Sequence, residues 1–221
     1  SLVRRDPAVL IEQALPQGNE IGMALGGVRV SIVAGREHLE EHRPCVFVFN
    51  HQSKLDVPVL IHLLRHDFTG VAKKEVRTVP VMGQIFDMAG MVFIDRGDSA
   101  KARQQLEPAV RKLREEGVSL VLAPEGTRSP TPRLGPFKKG AFHIAMQAEV
   151  PIVPIVLRNT GELMWRGAQL IAPGTVEVQV LPPVDTSSWT PQTVDDHVAE
   201  VRQQFLTTLA EWPTPDEEYR G

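Results

Sequence analysis

The chain has 221 residues, 42% of them hydrophobic and 23% charged, a balance that builds one α/β domain around a core and excludes a disordered chain. Its net charge of −3 lacks the basic footprint of a general nucleic-acid binder, so nucleic acid is not an expected partner. The single cysteine, Cys45, rules out a disulfide framework and a Cys-built metal site, and its apolar setting predicts a core thiol in a reducing compartment.

The opening "SLVRRDPAVL" has no long apolar stretch of the secretory kind, and Ser1 in place of Met predicts a chain cut from a longer one. No apolar run approaches the ~18 residues that cross a bilayer. Membrane contact is therefore expected to be peripheral, or to come from a segment outside these residues. A short helix is predicted over 6–15, broken by "PQGNE". The alternating "VRVSIVAG" (28–35) predicts a strand, and "CVFVFN" (45–50) a central one. "VPVLIHLLRH" (57–66) predicts a helix, with Asp56 at its mouth and Pro58 in its first turn. "FTGVAKK" (68–74) is a weaker strand, 79–90 an apolar, Gly-interrupted segment, and "MVFID" (91–95) a strand.

Ala102, Leu106, Ala109, Val110 and Leu113 recur at helical spacing within 99–116, with Gly117 as the stop and Pro108 weakening the middle. "VSLVLA" (118–123) is an apolar strand, followed by a Pro- and Gly-rich loop to about 140. A short helix over 141–149 precedes the buried strand "VPIVPIVL" (150–157), and "TVEVQVL" (175–181) alternates. The last helix, 193–211, places Val194, Val198, Val201, Phe205 and Leu209 on one face, with Thr193 and Asp196 at capping-box spacing. Alternating strands and helices predict one undivided α/β domain over 1–221, a mainly parallel or mixed sheet with helices on both faces. Ligands of such sheets gather at the carboxyl ends of the strands. The loops after 49, 95 and 123 are therefore the places to look for chemistry.

The first of these loops begins "NHQSKLD" (50–56), with His51 and Asp56 five positions apart. Spacing alone means little, because His62 and Asp67 repeat it. That second pair belongs to a helix, where five residues turn through about 500° and the side chains diverge. His51 instead follows a buried strand and Asp56 opens a helix, so the turn between them can fold one onto the other. Asp56 suits a helix N-cap, an orienter of the imidazole, or both. His51 suits a general base or a hydrogen-bonded turn histidine. The other strand ends carry cations. Arg96 follows 91–95, and "PEGTRSP" after 118–123 brings Glu125, Gly126, Thr127 and Arg128, followed by Arg133, Lys138 and Lys139. Lys73 and Lys74 end a further strand. Cations at strand ends of an acidic chain point to an anionic, phosphate-bearing ligand. The chain contains no G-x-G-x-x-G, Walker loop, G-x-S-x-G elbow or H-E-x-x-H. No metal or cofactor is expected.

Four blocks together resemble the glycerolipid acyltransferases, and among them the 1-acylglycerol-3-phosphate (lysophosphatidic acid) acyltransferases. "NHQSKLD" is similar to the family's NHxxxxD block, "GMVFIDR" (90–96) to its second, "PEGTRS" (124–129) to its third and "VPIVPIVL" to its fourth. "AKKE" (72–75) and "FKKGAFHIA" (137–145) are also similar to family sequence, so the likeness spans about 45–160. It implies transfer of a fatty acyl group from acyl-CoA or acyl carrier protein to the sn-2 hydroxyl of 1-acyl-glycerol-3-phosphate at a membrane surface, on its cytoplasmic side. It implies His51 as the base and Asp56 as its orienter, with direct attack and no acyl-enzyme. It also implies that Arg96, Glu125, Gly126, Thr127 and Arg128 hold the acceptor phosphate. Lys73, Lys74, Lys138 and Lys139 are weaker candidates for that anion or for the donor's phosphates. Glycerol-3-phosphate or another lysophospholipid is an alternative acceptor, and a non-catalytic anionic-lipid module an alternative function. Lys54 stands where many relatives carry an aromatic or small residue. The one short helix expected in 1–25 departs from relatives with an N-terminal helical pair that dips into the membrane.

Overall fold

The strand-forming runs assemble into one mixed sheet in the computed structural model, which describes residues 7–78, 87, 90–94, 102–129, 131 and 133–212. The strands are β1 Val28–Ala34, β2 Val46–Phe49, β3 Phe68–Lys73, β4 Val92–Ile94, β5 Ser119–Leu122, β6 Ile152–Leu157 and β7 Gly174–Val180. Their order is β1-β7-β6-β2-β5-β3-β4, which puts β2 at the centre between two parallel partners, β6 and β5. β7 runs antiparallel to β6, and β1 runs parallel to β7. β1 therefore points against β2, and the connection between them lies at the edge where β2 begins.

A strand covered on both faces has no reason to alternate, and all four residues of β2 are buried. Val46 and Val48 join a core beneath α3 (Ala102–Glu116), α4 (Gly140–Ala148) and α6 (Val194–Ala210). Cys45, Phe47 and Phe49 join the opposite core beneath α1 (Pro7–Leu25) and α2 (Asp56–Leu64), which supply Met23, Val59, Leu60, Leu63 and Leu64. A short helix, α5 (Thr160–Leu163), follows β6. The sheet thus has helices on both faces. Burial pushes the Cys45 thiol up to about 12, despite its Ser119 neighbour. It stays protonated at neutral pH. A thiol reagent is expected to label nothing in the native protein and one thiol per chain in guanidinium.

Two helices outrun their local signals. The helix expected over 6–15 continues as α1 to Leu25, through Pro16 and Gly18. An interior proline costs about 3 kcal/mol in helix stability, and tertiary contacts offset it. Met23 is buried, Asn19 Nδ2 donates to the Pro58 carbonyl at 2.8 Å, and Arg65 meets Glu20 at 2.9 Å. Likewise α3 passes unbroken through Pro108, which lies on its exposed side opposite buried Leu106, Ala109, Val110 and Leu113. At α6 the capping box does not form. The Thr193 hydroxyl accepts instead from the Thr190 amide at 3.1 Å. The expected segment 79–90 lies outside the described residues except for Asp87 and Gly90.

Candidate active site

β2 ends on Phe49, and the next residue closes the sheet's carboxyl edge. Asn50 is fully buried. Its Nδ2 donates to the Leu157 carbonyl at 2.7 Å and its Oδ1 accepts the Leu157 amide at 2.8 Å. This amide bridge ties the ends of β2 and β6 together where the parallel ladder stops. The sequence carried a signal for it: an Asn that terminates an apolar strand is buried with that strand and needs partners.

The chain then turns so that His51 Nδ1 meets Asp56 Oδ2 at 2.7 Å. The same carboxylate oxygen accepts the amides of Gln52 and Ser53, each at 2.9 Å. Asp56 is fully buried, and its Oδ1 has no hydrogen-bond partner among the described residues. It therefore does not cap α2; its bonds run back into the turn that precedes the helix. An ionised carboxylate is acceptor-only, so Nδ1 carries the proton and Nε2 presents a lone pair. Phe49 packs edge-on against the imidazole at 5.4 Å between centroids, leaving the His51 side chain 20% exposed. Ser53 braces the turn from below, donating to the Met164 carbonyl at 2.6 Å and accepting the Leu55 amide at 3.0 Å. The repeat of the spacing has no such geometry. His62 Nδ1 faces Glu20 at 3.8 Å, while Asp67 pairs with His66.

The loop after β5 meets this turn directly. The Glu125 Oε1 accepts the His51 amide at 2.8 Å, its Oε2 accepts the Gly135 amide at 2.9 Å, and the Ser129 amide donates to the His51 carbonyl at 2.8 Å. Gly126 makes the turn possible at φ +75°, a left-handed conformation that favours glycine. Thr127 and Arg128 follow within the same loop, and Arg128 Nη1 is buried with no hydrogen-bond partner among the described residues. Ser129 anchors the loop's far side through its hydroxyl, which donates to the carbonyls of Thr131 and Arg133.

Glu125 is tied into the backbone on both sides. It is only 6% exposed and both oxygens are engaged by backbone amides. Through these bonds Glu125 holds the His51 turn against the loop after β5. Desolvation raises its pKa above the usual carboxylate range, opposed by the amides of His51 and Gly135. The folded state thus holds the Glu125 proton more tightly than the unfolded chain does. Its contribution to stability falls as pH rises from about 4.3 toward the raised value. Glu125→Gln is expected to lose one amide bond, about 1–3 kcal/mol, and to flatten that part of the pH profile. Urea unfolding of both proteins between pH 4 and 7 measures this.

The remaining candidates are placed less closely. Lys139 pairs with Asp195 of α6 at 2.7 Å. Lys138 is exposed, and its amide donates to the Pro124 carbonyl at 2.8 Å. Lys73 ends β3, and Lys74 opens an adjoining 3-10 turn with an exposed side chain. Arg96 and the side chain of Lys73 lie outside the described residues. The structure therefore joins His51, Asp56 and the 125–128 loop.

The family model described as "Acyltransferase" matches residues 30–158, a span containing both loops. The chain belongs to the acyltransferase family. This acyltransferase is 38% identical over 199 residues to a 1-acyl-sn-glycerol-3-phosphate acyltransferase of Limnanthes douglasii, covering 87% of this chain and 70% of that protein. It is 36% identical over 190 residues to the human 1-acyl-sn-glycerol-3-phosphate acyltransferase alpha, covering 86% and 67%. Among solved structures it resembles the 1-acyl-sn-glycerophosphate acyltransferase PlsC of Thermotoga maritima, at a TM-score of 0.76 and 26% identity over 96% of this chain and 86% of that one.

Proposed function

We propose that this acyltransferase moves a fatty acyl group from a thioester donor to the sn-2 hydroxyl of 1-acyl-glycerol-3-phosphate, giving phosphatidic acid. The 2.7 Å bond between His51 and a buried, amide-held Asp56 carries the mechanism. His51 Nε2 removes the acceptor hydroxyl proton as the alkoxide oxygen attacks the thioester carbonyl. The tetrahedral intermediate collapses, the C–S bond breaks, and the imidazolium returns its proton to the leaving thiolate. Asp56 stabilises that imidazolium and fixes its tautomer. No acyl-enzyme forms, and no metal or cofactor takes part. The acceptor phosphate pairs with Arg128, whose buried, unpartnered Nη1 supports a dedicated anion site. Gly126 and Thr127 belong to the same loop; Arg96 is a further phosphate ligand by family likeness, while Lys73, Lys74, Lys138 and Lys139 offer weaker attraction to the donor's phosphates. The donor is acyl-CoA or acyl carrier protein.

Catalysis takes place at a membrane surface, on its cytoplasmic side. Among the described residues no helix is long and apolar enough to cross a membrane. The exposed apolar side chains Ile21, Leu25, Val57, Trp165, Leu170 and Ile171 support peripheral docking. Val57 adjoins Asp56. Trp165 and the Gln52 side chain both flank Gly161, which brings this apolar surface to the His51 turn. The test is thiol release from palmitoyl-CoA and from palmitoyl-acyl carrier protein, each with and without lysophosphatidic acid, followed by competition from glycerol-3-phosphate. Release that requires lysophosphatidic acid and resists the competitor supports the proposal. Equal release without acceptor identifies a thioesterase instead, and lipid binding with neither donor turned over identifies a binding module.

A further inference from the structure

A second cluster of chemistry-bearing side chains sits on the connection between β1 and β2. That connection opens with a 3-10 turn, Arg36–Leu39. One donor atom from each of His38, Glu41 and His42 lies within 4.8 Å of the others. In sequence these residues read "HLEEH" (38–42), a spacing that calls up no helical zinc motif. It is the tight turn, not a helix face, that gathers them.

The scaffold under the cluster is held from several sides. Gly35 has φ +78°, and a Cβ there would lie 1.9 Å from the Val180 carbonyl oxygen, so the turn sits directly on the end of β7. Leu39 is buried in the core. Arg43 closes the connection by donating to the carbonyls of Leu39, Leu64 and His66 and pairing with Glu40. Arg36 and Arg43 are the cations of this segment. Arg43's charge is spent on those bonds, and Glu37 and Glu40 add negative charge beside the cluster.

Within this frame the two imidazoles stand 6.0 Å apart between centroids. His38 Nδ1 is buried and has no hydrogen-bond partner among the described residues, and its Nε2 stays 3.7 Å from Glu37 Oε1. A buried ring nitrogen without a partner is costly, and a metal bound at that nitrogen relieves the cost. His42 and Glu41 are more open, with side chains 35% and 59% exposed, which leaves an entry path and room for a water ligand. Donors around tetrahedral zinc stand about 3.4 Å apart when bonds are 2.0–2.1 Å. The donor atoms, within 4.8 Å of one another, need to close by at most about 1.4 Å to reach that value. Two imidazoles and one carboxylate favour a borderline divalent ion over magnesium or calcium, which prefer all-oxygen shells.

The geometry points to a divalent-metal site of the zinc class, built from His38, Glu41 and His42, at the sheet edge opposite the His51 site. Glu37 or water completes the shell. Because β1 runs against β2, this connection lies where β2 begins, whereas His51 lies where β2 ends. The ion therefore serves as a clip on the turn and takes no part in acyl transfer.

The test uses the full chain without a histidine tag, stripped with chelator and titrated with Zn²⁺ by calorimetry and with Co²⁺ by absorption. One equivalent is expected to bind with tetrahedral Co²⁺ bands. The thermal midpoint is expected to rise by about 5–10 °C at a Zn²⁺ concentration about 100-fold above Kd. His42→Ala is expected to weaken binding at least tenfold, and Glu41→Gln serves as a second variant should the first not fold. His66→Ala, a nearby exposed histidine outside the cluster, is expected to bind as the unaltered chain does. Absence of stoichiometric binding by the unaltered chain overturns the proposal. So does equal affinity in the folded His42 or Glu41 variant, or a loss in His66→Ala as large as theirs.

Discussion

His51→Ala is expected to lower acyl transfer by about 10²–10⁴ in kcat, the typical contribution of a positioned base. The acceptor KM is expected to change little, because the proposed anion-holding group, Arg128, belongs to the loop after β5 and not to the imidazole. The fold should survive. The His51 backbone keeps both its bonds, to Glu125 Oε1 and from the Ser129 amide, and the lost ring is partly exposed. The measurement is thiol release from palmitoyl-CoA with lysophosphatidic acid. Buried Cys45, held protonated, contributes no background to it. A variant that keeps more than a tenth of the activity would remove His51 from the base role.

Asp56→Asn is expected to cost a similar 10²–10⁴ by a different route. In the native turn one oxygen accepts three donors, the His51 imidazole and the amides of Gln52 and Ser53. Asparagine can place its oxygen there and keep all three bonds. It then lacks the charge that stabilises the imidazolium, and it puts an NH₂ at the buried, unpartnered Oδ1 position. If it flips, its NH₂ opposes three donors and the turn opens. Either way the imidazole loses its fixed tautomer or its counter-charge. Urea unfolding of the variant beside its kinetics separates this from simple unfolding. A cooperatively folded variant whose kcat falls while its acceptor KM holds supports the orienting role. A loss of activity that only tracks the unfolded fraction would instead mean that Asp56 only supports the fold.

Much of this was written in local pattern. β2 was legible because both its faces are covered, so "VFVF" could be apolar throughout. The His51–Asp56 pair was legible because a turn between a buried strand and a helix brings residues five apart together, whereas the same spacing on α2 separates His62 from Asp67. The order of strands and helices likewise followed from hydrophobic period, turn residues and length. Tertiary structure decided the rest. Glu125 reaches the His51 amide from 74 positions away, and Asn50 finds Leu157 from 107. No local signal distinguishes a carboxylate that faces a ligand from one that accepts backbone amides. Pro16 and Gly18 spoke against α1, yet docking on α2 carried the helix through them. A sequence states what each residue can do over a few neighbours. Which distant partner satisfies a buried polar group is decided only when the sheet closes and leaves it one choice.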